Sequence, residues 1–230
     1  MYLDILTIFP EMFEGPFNHS IVKRSQEKNL VKIRLINMRD WATDKHKRMD
    51  DYQYGGGSGM VMMAEPISNC IETLKGENNY DEIIFMTPDG EMLDQKMANH
   101  YSTYDRLMIL CGHYKGIDER IRQMYITREI SIGNYVLSGG ELAAAVFADT
   151  IIRLIPGVLN NETSALSDSF QNDLLSPPVY TRPANYKGYK VPDILLSGND
   201  KLIAEWRIDQ AVKRTKIRRS GLMEDPEKEE

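Results

Sequence analysis

The chain has 230 residues, and its 34 acidic and 28 basic side chains give a formal net charge of −6, which excludes a protein covered by positive potential. With 42% hydrophobic and 27% charged residues, the composition is that of a soluble globular protein with one large domain or two unequal ones. Two cysteines are too few for a disulfide framework or a zinc site, and no apolar run is long enough for a membrane span. Because the N-terminus carries Asp4 and no basic leader, we expect no signal peptide and a cytoplasmic location.

Strand and helix patterns alternate along most of the chain. Strands are predicted over residues 3–9, 31–36, 83–86 and 107–110, and helices over 21–28, 65–75, 95–102, 140–155 and 203–216. This alternation predicts an α/β fold whose mostly parallel sheet is covered by helices on both faces. In such sheets a ligand binds beyond the carboxyl ends of the strands.

A polar loop rich in glycine follows Asp50. Four glycines in five residues, at 55–59, exclude a stable helix or an interior strand, because glycine loses the most conformational freedom on folding. The loop lacks the Lys-Ser/Thr ending of a phosphate-binding loop. It is either a binding loop or a flexible surface loop.

Three turns follow apolar strands and are expected to meet at one edge of the sheet. They come after Met86, after Leu110 and after Ile132, and each contains glycine. Glycines leave backbone N–H and C=O groups unshielded, so these turns can bind a flat polar ligand. The alternative is that the glycines only close tight turns between strands and helices.

Two charged residues lie near the end of the helix predicted over residues 140–155. Arg153 is one of the few polar residues of this helix, and its position allows an ion pair with Asp149 four residues earlier. Asp168 lies in the polar stretch 160–176, where it is either a functional residue or the cap of a short helix over 170–175.

The C-terminal part of the chain is basic. Residues 187–219 contain nine lysines and arginines against four acidic residues. The excess predicts a surface for a polyanion, with a solvated helix face as the alternative.

Several motifs together resemble the bacterial tRNA (guanine-N1)-methyltransferase family, which is one of the SPOUT methyltransferases. They occur in the order and spacing of that family and span nearly the whole chain. The motifs are FPEMF at 9–13, YGGGSGM at 54–60, CGHYKGIDER at 111–120, IGNYVLSGGEL at 132–142, IPGVL at 155–159, DSF at 168–170, YTRP at 180–183 and LLSG at 195–198.

The resemblance implies a SPOUT-type α/β fold with a C-terminal trefoil knot, followed by a small helical domain. Residues 1–159 would form the methyltransferase domain, 160–176 a flexible linker, and 177–230 a shortened, mostly helical tRNA-binding domain. The family also implies a homodimer whose active site lies at the subunit interface, and no association with a membrane.

The resemblance also implies S-adenosylmethionine as methyl donor, held mainly by backbone groups of the three turns. The implied cofactor-binding residues are Thr87, Pro88, Gly112, Ile132, Gly133, Asn134, Tyr135, Val136, Leu137, Gly139 and Gly140. No protein metal ligands are assigned, while a requirement for Mg²⁺ is an open expectation.

The family assigns the catalytic roles to Asp168 and Arg153. The acceptor is N1 of the guanosine on the 3′ side of the tRNA anticodon, and Asp168 would remove its proton as general base. Arg153 would stabilise the negative charge that develops on the base. The implied substrate-binding residues are Asp50, Ser164 and Arg182.

The chain departs from the family pattern at a few positions. Lys115 stands where a glutamate is usual, which leaves no carboxylate there for the cofactor amine or Mg²⁺. Gln53 replaces a proline beside the glycine loop, and Asp200 stands where histidine is common. The chain also ends soon after Arg219, whereas other family members continue through another helix.

Two other functions are compatible with parts of the sequence. An enzyme using ATP or a dinucleotide could bind at the same turns, although the phosphate-loop lysine and the acidic residue of a dinucleotide fingerprint are missing. A non-catalytic RNA-binding protein is the second alternative, favoured if Lys115 and the short C-terminus reflect lost activity.

Overall fold

A computed structural model describes residues 1–159 and 168–223 of the chain. The chain divides into two compact units, Met1–Glu162 and Thr163–Glu230.

The first unit contains a parallel sheet and a small hairpin. Its strands are β1 (Tyr2–Thr7), β2 (Lys32–Asn37), β3 (Asp50–Tyr52), β4 (Met60–Met62), β5 (Glu82–Met92), β6 (Arg106–Cys111) and β7 (Arg128–Ser131). The order in the five-stranded sheet is β2-β1-β6-β5-β7, and every pairing in it is parallel. β3 and β4 pair antiparallel on either side of the glycine loop.

The helices of this unit are α1 (Glu14–Phe17), α2 (Ser20–Glu27), α3 (Ala64–Glu77), α4 (Gln95–Tyr101), α5 (Glu119–Tyr125) and α6 (Glu141–Ile152). Short 3₁₀ helices cover Pro10–Phe13 and Met38–Trp41. Alternate residues of the sheet point into two separate clusters of buried side chains. Ile5 of β1 packs with Phe147 of α6 on one face, whereas Leu6 packs with Ile67 of α3 on the other. The predicted α/β architecture with helices on both faces is therefore confirmed.

Strand β5 is longer than predicted. The sequence predicts a turn after Met86, but the strand continues to Met92. Both Met86 and Glu91 are paired with Ile130 of β7, so the residues between them bulge out of the ladder. Gly90 is needed here, because a Cβ atom on it would lie 2.5 Å from the backbone nitrogen of Ile130.

The long apolar helix is shorter than predicted. α6 ends at Ile152, and Arg153 is its C-cap residue. Further along the chain, no helix covers residues 170–175. The interpretation of Asp168 as the cap of a helix there is therefore wrong.

The second unit contains a hairpin of β8 (Asn185–Tyr186) and β9 (Tyr189–Lys190), followed by the long helix α7 (Asp200–Arg218). Short 3₁₀ helices cover Asp193–Leu196 and Ser220–Met223. The side chain of Asn199 caps α7 by accepting a hydrogen bond from the Leu202 backbone N–H.

Within the described parts of the chain, none of the helices combines the length and the apolar character that crossing a membrane requires.

Candidate functional site

The three predicted turns meet at one pocket in the first unit. We call it the carboxyl-edge pocket, because it lies at the bulge of β5 and beyond the carboxyl ends of β6 and β7, and its volume is about 360 Å³. Ten of the residues predicted from the family resemblance line it: Thr87, Pro88, Gly112, Ile132, Gly133, Tyr135, Val136, Leu137, Gly139 and Gly140. Asn134 was predicted with them but is not among the lining residues. The size is within the range of small-molecule sites, about 300–1,000 Å³.

Close backbone approach explains the glycine at the start of α6. The Gly140 backbone N–H donates to the Gly112 carbonyl at 2.8 Å. A Cβ atom on Gly140 would lie 2.9 Å from Cα of Cys111 and 3.0 Å from the backbone nitrogen of Gly112. These are backbone atoms and cannot rotate away, so only glycine fits where α6 begins beside the end of β6.

A buried carboxylate lies behind this contact. Glu141, the first residue of α6, is only 1% exposed. Its Oε1 accepts a hydrogen bond from the Thr7 hydroxyl at 2.7 Å, and its Oε2 lies 3.0 Å from Nε2 of His113. Because His113 also lines the pocket, Glu141 connects β1, the turn after β6 and the start of α6.

In the sequence, Glu141 stands out only as part of the motif at 132–142, and His113 is not singled out. The contact joins residues 28 positions apart, whose proximity depends on the fold. A glutamate directly after the Gly139-Gly140 pair, in a helix with few other polar residues, was the signal that could have found it.

An ion-pair cluster supports the bulge of β5 at the pocket wall. The Arg122 guanidinium contacts Glu129 at 2.6 Å and Asp89 at 2.8 Å. Asp89 also accepts a hydrogen bond from the Thr87 hydroxyl. The Thr87 hydroxyl first, and Arg122 next, hold the pKa of Asp89 below its usual value. Asp89 and Arg122 were not predicted as site residues.

Lys115 and the glycine loop lie at the pocket margin. Lys115 lines the pocket, and its backbone N–H donates to the Met60 carbonyl at 3.0 Å. A Cβ atom on Gly59 would lie 3.0 Å from two carbons of the Lys115 side chain. The pocket margin therefore carries a flexible cation, Lys115, where the sequence analysis expects a carboxylate from the family resemblance.

Asp50 lies near the same margin. It is the first residue of β3, and its carboxylate is beside the hydroxyl of Tyr114, another lining residue. Burial, followed by the charge of Asp50, raises the pKa of Tyr114 above its usual value. The predicted substrate-binding residue is therefore next to the pocket, with the exposed rings of Tyr52 on the same strand and Tyr54 on the adjoining loop.

The structure does not bring the predicted catalytic residues together in one described unit. Arg153 follows the last residue of α6, a helix of 12 residues that begins at the pocket, and it does not line the pocket. At about 1.5 Å per residue, it lies roughly 18 Å along the helix from Glu141.

The remaining predicted residues belong to the second unit. Asp168 and Arg182 line the same groove there, with Arg207. Ser164 lies outside the described residues.

Among the described residues, no group of three or more His, Cys, Asp or Glu side chains is arranged to hold a metal ion.

The chain is similar to known proteins over almost its full length. The family model described as tRNA (Guanine-1)-methyltransferase TrmD matches residues 1–225. The tRNA (guanine-N(1)-)-methyltransferase of Bacteroides fragilis is 61% identical over 225 residues, which are 98% of this chain and 100% of that protein. Proteins of the same name from Christiangramia forsetii and Flavobacterium johnsoniae are 60% and 59% identical over the same shares.

Proposed function

The chain belongs to the tRNA (guanine-1)-methyltransferase family, and from this we propose that it transfers a methyl group to N1 of a guanosine in tRNA. The acceptor is the guanosine on the 3′ side of the anticodon, and the donor is S-adenosylmethionine. The carboxyl-edge pocket carries the proposal, because it unites ten of the eleven residues that the resemblance assigns to the methyl donor.

The pocket fits a nucleoside-like donor. Its wall combines backbone groups of the turns with apolar side chains such as Ile132 and Leu137, a combination suited to an adenine ring. Gly112, Gly139 and Gly140 let the turns pack closely at the pocket wall, because other protein atoms lie where a Cβ atom on each would be. When bound, S-adenosylmethionine supplies an electrophilic methyl group. The turns would have to position the bound S-adenosylmethionine and exclude water from the methyl group.

The acceptor needs a base and a cation. Guanine N1 carries a proton, and it attacks the methyl carbon only as that proton leaves. We assign the base to Asp168, which accepts the N1 proton as the new N–C bond forms and the methyl–sulfur bond breaks. Arg153 stabilises the charge that develops on the guanine ring, and Asp50 contacts a neighbouring base.

A homodimer would unite these groups. Leu142 and Val146 are 50% and 46% exposed, and with Arg153 they follow helical spacing along one side of α6. These two exposed apolar side chains, beside the exposed Asp149, support a subunit contact along α6. We propose that Arg153 and Asp168 of one chain act at the carboxyl-edge pocket of the other, because Arg153 lies far from its own pocket.

The family fold includes a trefoil knot, and we propose that this chain has one, with a C-terminal tRNA-binding domain joined by the linker that carries Asp168. The backbone contacts of the turn after β7 with the turn after β6, at Gly140 with Gly112 and at His113 with Gly139, support this arrangement. A Mg²⁺ requirement remains part of the proposal and is checked by chelation during turnover.

Methyl transfer to tRNA transcripts tests the function. Labelled S-adenosylmethionine is offered to a transcript with guanosine 3′ of the anticodon and to a matched transcript with adenosine there, and the product is mapped by mass spectrometry. We expect N1-methylguanosine at that position in the first transcript alone. Equal transfer to both transcripts would refute the assigned position.

Replacing the base tests the mechanism. We expect Asp168→Ala to abolish turnover and to leave S-adenosylmethionine affinity unchanged in calorimetry, with Asp173→Ala as the matched control in the same segment. Full activity of Asp168→Ala would remove Asp168 as the base.

A further inference from the structure

The β8–β9 hairpin of the second unit displays two tyrosines that the catalytic proposal does not use. Tyr186 and Tyr189 face each other across the hairpin and are 60% and 84% exposed. Every residue from 181 to 190 is exposed. Directly opposite residues of an antiparallel pair lie on the same face, so the two rings form one aromatic surface.

The turn fixes the backbone that carries these rings. Lys187 and Gly188 form the two-residue turn, both with positive φ, at 52° and 90°. This is the backbone that a tight hairpin turn requires. The Asn185 side chain accepts a hydrogen bond from the Gly188 N–H at 3.0 Å, and Val191 donates to the Ala184 carbonyl at 2.9 Å.

The charge of the segment points to the kind of partner. Residues 177–192 contain Arg182, Lys187 and Lys190 and no carboxylate, within a chain whose net charge is −6. The Lys187 ammonium lies 5.4 Å from the centre of the Tyr186 ring. Exposed aromatic rings next to lysines are suited to single-stranded nucleic acid, whose bases stack on the rings while its phosphates pair with the cations.

We propose that the β8–β9 hairpin binds unpaired nucleotides of the tRNA substrate. Tyr186 and Tyr189 stack on bases, and Lys187 and Lys190 contact phosphates. The proposal rests on the proposed function. It adds contacts with tRNA bases to the electrostatic binding of phosphates that is expected of the basic C-terminal region. RNA-binding proteins recognise loops in this way, because unpaired bases expose their faces to aromatic side chains.

The aromatic contact is tested with paired variants. We expect Tyr186→Ala/Tyr189→Ala to raise the Kd for tRNA at least about thirtyfold, the lower end for the loss of two base stacks. Tyr186→Phe/Tyr189→Phe keeps both rings and should bind within about twofold of wild type. The KM for tRNA should rise with the Kd, while kcat and S-adenosylmethionine affinity stay unchanged.

The phosphate contact has its own measurement. Filter binding over a range of salt concentrations should show that Lys187→Gln/Lys190→Gln reduces the slope of log Kd against log salt by about two, one for each lost phosphate contact. Lys187→Arg/Lys190→Arg should retain the slope. Should the double alanine variant unfold, Tyr189→Ser alone replaces it, because that ring is the more exposed of the two.

The hairpin proposal would be overturned if the alanine and glutamine variants bound tRNA as tightly as a wild type that methylates it. That result would leave the proposed function intact. Wild type that methylates no tRNA would instead overturn the proposed function. Equal loss of affinity in the alanine and phenylalanine pairs would also count against stacking.

Discussion

At the scale of single residues, Asp4 is a buried charge that the function does not explain. It is fully buried in β1, and the Arg34 guanidinium donates to both of its oxygens, at 2.6 and 2.7 Å. The Tyr80 hydroxyl and Arg106 donate to it as well. Burial raises the pKa of Asp4, but the hydrogen bonds of Arg34 and Tyr80 and the charges of both arginines outweigh it. The pKa therefore lies below its usual value.

Loss of this carboxylate should destabilise the fold. We expect Asp4→Asn to lower the free energy of unfolding by about 3 kcal/mol at neutral pH, at the low end for breaking a buried ion pair because both arginines keep some contact with water. Urea denaturation of both proteins measures this difference. Stability equal to wild type would show that the cluster contributes nothing net.

The lowered pKa of Asp4 also gives a prediction for the pH dependence of stability. A carboxylate whose pKa is lowered in the folded state stabilises the fold above its unfolded pKa of about 3.9, and the contribution is lost as the pH falls through the folded pKa. The difference between wild type and Asp4→Asn should therefore be constant from about pH 7 to about pH 5 and shrink below about pH 4. A difference that stays constant to about pH 3 would contradict the assignment to Asp4.

The buried Glu141 carboxylate is a second single residue whose loss should affect both stability and the pocket. We expect Glu141→Ala to cost about 2–4 kcal/mol of stability, because Thr7 and His113 lose their buried partner, and to weaken S-adenosylmethionine binding. Glu141→Gln keeps one acceptor for Thr7 and one polar group for His113, so it should lose less of both. Denaturation and calorimetry are the two measurements. Binding that is unaffected in Glu141→Ala would make the residue purely structural.

At the scale of elements, the junction between β6 and α6 depends on one glycine. In Gly140→Ala, the new methyl group would press on the backbone of Cys111 and Gly112, so we expect a loss of at least about 2 kcal/mol and weaker S-adenosylmethionine binding. Gly76→Ala is the matched control, because α3 leaves open space there and alanine favours helix by about 1 kcal/mol. Thermal denaturation that ranks the two variants in the opposite order would refute the steric argument.

The sequence predicts an element well when the residues of that element determine it, and poorly when contacts with distant residues do. The apolar runs of β1 and β6 and the periodicity of α3 predict their own elements, and alternation along the chain predicts the layers. The bulge of β5 is not predictable in this way, because it depends on pairing with β7. The β8–β9 hairpin was missed because each strand has only two residues.

The pocket shows the same limit. Rules for parallel sheets placed its three turns at one edge, and the family resemblance supplied the donor. Neither indicated the contact of Glu141 with His113, because that contact depends on the packing of the start of α6 against the end of β6. The positions of Arg153 and Asp168 could not come from periodicity either, because the proposed site needs a second chain.

At the scale of the whole molecule, the proposed active site belongs to two subunits, and mixed dimers test this directly. One chain carries Asp168→Ala. The other carries Leu137→Arg, which places a long charged side chain in the carboxyl-edge pocket. Each homodimer should be inactive. If Asp168 acts on the partner's pocket, the mixed dimer contains one site with an open pocket and an intact base.

We therefore expect mixed dimers, purified through two different affinity tags, to show about half of the wild-type kcat, because one of the two equivalent sites is complete. Calorimetry should show one bound S-adenosylmethionine per mixed dimer, which confirms that the blocked chain binds none. If Asp168 served the pocket of its own chain, neither site would hold both functional parts. The mixed dimer would then bind one donor molecule and remain inactive.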